Sequence, residues 1–189
     1  MPDEEPAAFE RQGPFAIEAH AWLGRASGAC GEGCEGDQVA WTRGFGVLGT
    51  YRFHPRFAAS LGFGGLFAQV PPTLGLVAVT ITPGIRVAAP VSARLTVLLD
   101  AGIGYSYWLW PVGLEHVDVL GSSAHPAHRM ATRCRWALDV VATPSTSLVF
   151  GLDFELLNLV EGDSSSRHPR REEGPIPFVG LTLGIAAHM

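Results

Sequence analysis

The chain has 189 residues, enough for one domain, with 47% hydrophobic and only 16% charged residues and a net charge of −5. Its 13 basic residues are all arginine, so there is neither the basic excess of a nucleic-acid binder nor the lysine-studded surface of an ordinary soluble domain. No apolar run approaches the ~20 residues of a spanning helix, which excludes a helical membrane protein. Residues 1–13 are acidic and lack the apolar core of an export signal; they read as a short flexible tail, and the chain is expected to begin near a mature end.

From residue 14 onward hydrophobicity alternates with period 2 in eight segments, the pattern of strands rather than helices. The segments are 14–25, 39–53, 56–69, 76–88, 92–108, 128–142, 146–159 and 176–189. In the first, Phe15, Ile17, Ala19, Ala21 and Leu23 oppose Glu18, His20 and Gly24. The second sets Phe45, Val47, Tyr51 and Phe53 against Thr42, Gly44, Gly46 and Arg52. The third sets Phe57, Leu61, Phe63 and Phe67 against Ser60, Gly62 and Gly64, and the fourth Val79, Ile81, Ile85 and Val87 against Thr80, Thr82 and Arg86. In the fifth, Leu95, Val97, Leu99, Ile103 and Tyr105 back onto Arg94, Thr96, Asp100 and Gly102. The last three put Trp136, Phe150, Phe154 and Leu181 on one face, and Arg133, Arg135, Asp139, Asp153, Glu155 and Thr182 on the other. Exceptions are Arg43 on the apolar face and Leu48, Leu98, Val149 and Phe178 on the polar one. Arg43 lies near a strand end, where a lipid-facing charge costs about 0–1 kcal/mol.

The connections alternate in length. Those at His54-Pro55, 89–91 and 143–145 are tight, whereas 26–38, 70–75, 109–127 and 160–175 are long and rich in Gly, Pro, Ser or charge. Eight strands with short and long connections on opposite sides predict an all-β, up-and-down antiparallel barrel over residues 14–189 that crosses a bilayer. The polar face is dominated by small residues. Its five acids (Glu18, Asp100, Asp139, Asp153, Glu155) match five bases (Arg52, Arg86, Arg94, Arg133, Arg135). Such a face suits the narrow lumen of an eight-stranded barrel, which side chains just fill, and the bulky aromatic face suits lipid. The ten charges are expected to pair, either as a static neutral core or as a narrow ion path. A soluble lipocalin-like carrier, apolar face inward, is the inverted alternative.

On this architecture, and on stretches such as Leu99-Asp100-Ala101-Gly102-Ile103-Gly104-Tyr105, the chain resembles the eight-stranded bacterial outer-membrane barrels, the class of the OmpA transmembrane domain and OmpX. The closing segment resembles the terminal strand read by the barrel-assembly machinery, although it ends in Met189 where that class usually ends in an aromatic residue. The resemblance implies short turns and both termini in the periplasm, long loops outside, contact with outer-membrane lipid and lipopolysaccharide, no cofactor, and a monomeric protein with a structural or surface-interaction role. It also leaves open a porin-like pore and a lipid A-modifying enzyme. For the latter, Glu115, Ser122, Ser123, His125 and His128 supply residue types without the motif. The first long loop carries Cys30 and Cys34, for which an oxidising compartment predicts a disulfide, with a two-thiol metal site as the alternative. Arg167, Arg170 and Arg171 in the last loop are candidates for lipopolysaccharide phosphates.

Overall fold

The computed structural model describes residues 13–27, 39–70, 74–109, 127–159 and 176–189. Eight strands follow one another: β1 (Phe15–Ser27), β2 (Val39–His54), β3 (Phe57–Val70), β4 (Leu74–Ser92), β5 (Leu95–Leu109), β6 (Ala127–Thr143), β7 (Thr146–Leu159) and β8 (Ile176–His188). Each pairs antiparallel with its neighbours in sequence, and β1 closes on β8 to make a barrel. Closure leaves no sheet edge, so the strands satisfy one another's backbone groups inside hydrocarbon. Phe15 and Met189 exchange backbone hydrogen bonds of 3.3 and 2.9 Å where the ends of the barrel meet.

The alternation of the sequence becomes an inside and an outside. Phe45, Phe63, Ile103, Trp136, Phe150 and Leu181 are exposed on the outer wall, while Glu18, Thr82, Arg86, Asp100, Arg135 and Thr182 are buried. A wall of exposed Phe, Leu, Ile and Val around a charged interior is stable in lipid and not in water. The four apolar exceptions on the polar face are explained by position. Leu98 and Val149 pack with Ala137 and Ala186 into a plug at the short-turn end; Leu48 and Phe178 are likewise buried in the lumen.

Three two-residue turns close that end, Pro55-Arg56, Ala93-Arg94 and Pro144-Ser145. Proline suits the first central position of a type I turn, whose twist splays the flanking strands. Each hairpin, the proline-free Ala93-Arg94 one included, shifts register beside its turn, between Arg52 and His54, Pro90 and Ser92, and Val141 and Thr143.

One turn differs from the sequence expectation. The segment boundary at 89–91 is overridden: β4 runs on to Ser92, and Pro90 is absorbed at a bulge near the rim, where its missing N–H is tolerated. Arg94 therefore stands in the turn, exposed, and is not a lumenal residue. Pairing explains the choice. A turn centred on Pro90 would set Arg86 opposite Arg94, two like charges in one cross-strand pair, whereas the observed register sets Arg86 opposite Asp100.

Candidate functional site

The lumen is built on a row of alternating charge. Arg86, Asp100, Arg135 and Asp153 stand opposite one another on four consecutive strands, β4 to β7. Glu18 reaches into this row from β1. Arg135 is wholly buried and donates to Glu18 through both terminal nitrogens, Nη2 to Oε2 at 2.8 Å. Its Nε and Nη2 also donate to Asp100 Oδ2 at 3.0 and 2.9 Å. Arg86 donates Nε to Asp100 Oδ1 at 2.7 Å, and Nη2 to Asp100 Oδ2 at 3.1 Å and Glu18 Oε2 at 2.9 Å. Two guanidiniums and two carboxylates thus close a neutral quartet in which all four carboxylate oxygens accept. Charge-assisted, forked bonds of this kind are the strong class of hydrogen bond, and arginine is the cation whose geometry permits them.

A second level lies toward the long connections. Arg133 Nε donates to Asp153 Oδ1 at 2.8 Å, and the Thr182 hydroxyl donates to Asp153 Oδ2. Arg133 Nη2 lies 3.1 Å from His20 Nε2. A guanidinium can only donate, so Nε2 accepts and the ring proton of a neutral His20 sits on Nδ1. That nitrogen faces Glu18 Oε1 at 3.5 Å, joining the two levels. Beside them is a small cavity lined by His20, Trp22, Thr80, Arg133, Asp153 and Glu155 among others. It leaves about 20 Å³ for water centres, enough for a water molecule and too little for an organic ligand.

The bulky lumenal residues need glycine opposite them. In register, His20 faces Gly46 and Trp22 faces Gly44. A Cβ at Gly44 would stand 2.2 Å from Trp22 Nε1, and one at Gly46 would stand 2.6 Å from His20 Nε2. These strand glycines are seats for side chains rather than turn residues.

Of the ten charges expected to pair, the structure brings Glu18, Arg86, Asp100 and Arg135 into the quartet and Arg133 onto Asp153. Asp139 and Glu155 reach the lumen, with Asp139 Oδ1 and Glu155 Oε1 buried and lacking a hydrogen-bond partner. Arg52 sits half-buried at the short-turn rim and donates to the Gly13 carbonyl at 3.1 Å; Arg94 lies outside the lumen, as described. Cys30, Cys34, Arg167, Arg170 and Arg171 lie outside the described residues, as do Glu115, Ser122, Ser123 and His125. His20, Trp22 and Thr182 belong to the lumenal site although sequence reasoning did not single them out. Their signal was the period-2 phase they share with Glu18 and Asp153.

Among solved structures the chain is similar to Neisserial surface protein A, with a TM-score of 0.69 and 12% identity over 94% of this chain and 98% of that one. It is similar to the outer membrane enzyme PagL, with a TM-score of 0.58 and 15% identity over 88% and 97% of the two chains. Ail, the attachment invasion locus protein of Yersinia pestis, matches with a TM-score of 0.50 and 15% identity over 94% and 99%. No protein-family model and no curated protein sequence matches the chain. The fold is that of the eight-stranded outer-membrane β-barrels.

Proposed function

We propose that this chain is a sealed, monomeric barrel of the bacterial outer membrane, with a structural or surface-interaction role carried by its long connections. In this reading the short turns and termini face the periplasm. The assembly machinery inserts the barrel, and lipid and lipopolysaccharide surround it. The observation that carries the reading is the filled lumen. The apolar cluster of Leu98, Ala137, Val149 and Ala186 and the neutral quartet above it fill the described lumen with side chains, which supports a barrel closed to hydrated ions. The enzymatic outcome is not favoured: Ser147 Oγ and His188 Nε2 do lie 2.9 Å apart, but Ser147 is wholly buried among lumenal side chains at the short-turn end, with no surface there for a substrate.

Three measurements test this. Outer-membrane fractions run unboiled and boiled on an SDS gel should show a faster unboiled band, and protein that is soluble in the periplasm with no shift overturns the barrel. In planar bilayers the purified protein should give no discrete conductance steps. Steps that change size in Arg133→Gln would make the lumen a pore. Unchanged lipid A masses on overexpression are expected; a shifted mass would make the protein an enzyme, since one fold hosts both roles.

A further inference from the structure

The outer wall is almost wholly uncharged. Among the described residues on the outward face of the strands, two carry charge, Arg25 and Arg43, and both are exposed. They are neighbours. Leu23 pairs with Arg43 and Arg25 with Trp41 across β1 and β2, so the two arginine positions are diagonal, with Cα atoms about 7–8 Å apart.

Their height on the barrel is informative. At the short-turn end Phe15 pairs with Tyr51, ring centroids 4.9 Å apart, an aromatic mark of one membrane boundary. Arg43 lies eight residues along β2 from Tyr51, and Arg25 ten along β1 from Phe15. At about 3.3 Å per residue and a tilt of about 40°, these are rises of about 20 and 25 Å. The apolar band of such barrels is about 25 Å tall. Arg25 therefore stands at the opposite boundary and Arg43 a few ångströms inside it, close enough for its stem to carry the guanidinium out to the headgroups. On the other side of Arg43, β3 sets Phe67 directly opposite it, and Phe45 and Phe67 hold their rings 6.0 Å apart just below.

We infer that Arg25 and Arg43 clasp the phosphate of an anionic lipid headgroup in the leaflet at the long-connection end. An acyl chain of that lipid lies along Leu23, Phe45 and Phe67. Phosphate is the partner that guanidinium forks match, and a headgroup bearing negative charge at that boundary lies within reach of both arginines. Arg25 has a further contact of its own; a guanidinium has five N–H donors, so that contact leaves others to turn to the phosphate. The site rests on the barrel crossing a membrane and not on which compartment its long connections face.

The test uses the full chain in a neutral detergent, with native mass spectrometry reading bound lipid. Phosphatidic acid should form a retained adduct; diacylglycerol of the same chains should not, and inorganic phosphate should neither bind nor displace the lipid. Arg25→Gln with Arg43→Gln should reduce the phosphatidic acid adduct about tenfold, with partial retention in the double lysine variant. An undiminished adduct in the double glutamine variant overturns the site. So does diacylglycerol binding as well as phosphatidic acid, and so does displacement by inorganic phosphate. Unboiled gel mobility is read on every variant. Loss of the shift in wild type would instead overturn the barrel, and if only the double variant fails to fold, Arg43→Gln alone decides.

Discussion

The two levels of the lumen use the same residue types and differ in completeness. In the quartet of Glu18, Arg86, Asp100 and Arg135 every carboxylate oxygen accepts at least one guanidinium bond. One level up, toward the long connections, Glu155 Oε1, His20 Nδ1, Thr42 Oγ1 and Ser106 Oγ are buried without hydrogen bonds, and a cavity opens beside His20 and Glu155. A saturated network specifies one arrangement, whereas a partly satisfied one tolerates several. The lower level is thus the strut that holds β1 against β4, β5 and β6 across the lumen. The upper level is where this barrel can change without falling apart.

The largest effect should come from breaking the strut. Arg135→Leu leaves Glu18 and Asp100 to share Arg86 alone, and the lost pairing should destabilise the barrel by about 3–5 kcal/mol. Urea unfolding in phospholipid vesicles, followed by tryptophan fluorescence and unboiled gel mobility, measures it. The double variant Glu18→Leu/Arg135→Leu should be less harmful than the sum of its singles, because it removes a charge of each sign together. Strict additivity would mean that the quartet is four independent contacts.

A smaller effect should follow from unseating Trp22. In Gly44→Ala the new methyl meets the indole nitrogen at 2.2 Å, so Trp22 must leave its rotamer, at about 1–3 kcal/mol. The emission of the folded protein should move with it. Unfolding at the wild-type midpoint with unaltered emission would show that the lumen above the strut has room to spare.

How far this site could be read from sequence depends on which pairing is asked about. Strand number, antiparallel order and facing follow from period-2 alternation and tight turns, and all eight segments became strands. Pairs across a short turn are legible to within one residue, because the turn centre sets the register approximately and the shared face of the two strands settles its parity. The turn at Pro144-Ser145, with the one-residue shift between Val141 and Thr143, puts Arg135 opposite Asp153 and Arg133 opposite Glu155. A turn at 89–91 rather than at Ala93-Arg94 is enough to place Arg94 in the lumen. Asp100 opposite Arg135 joins strands separated by the long connection 110–126, and no local chemistry fixes a register across such a length. Glu18 is further removed still. It meets Arg86 and Arg135 across the lumen, a contact set by barrel closure rather than by any neighbour in sequence.

The finest discrimination between the two levels lies in Glu155. Arg133 stands directly opposite it in register yet turns its Nε to Asp153, whose second oxygen takes the Thr182 hydroxyl. Glu155 is left with a buried oxygen that accepts nothing. Replacing a buried carboxylate by a carboxamide of the same shape removes a charge that no bond compensates at that oxygen, so Glu155→Gln should leave stability within about 1 kcal/mol of wild type or raise it. Asp153→Asn removes the acceptor of a charged bond and should be clearly more harmful. Arg94→Ala, in an exposed turn, sets the baseline and should change nothing. If Glu155→Gln destabilised the barrel as much as Arg135→Leu, the upper level would be a second strut and the contrast between the two would be lost. A midpoint at or above that of wild type would mark Glu155 as a charge kept for something other than holding the barrel together.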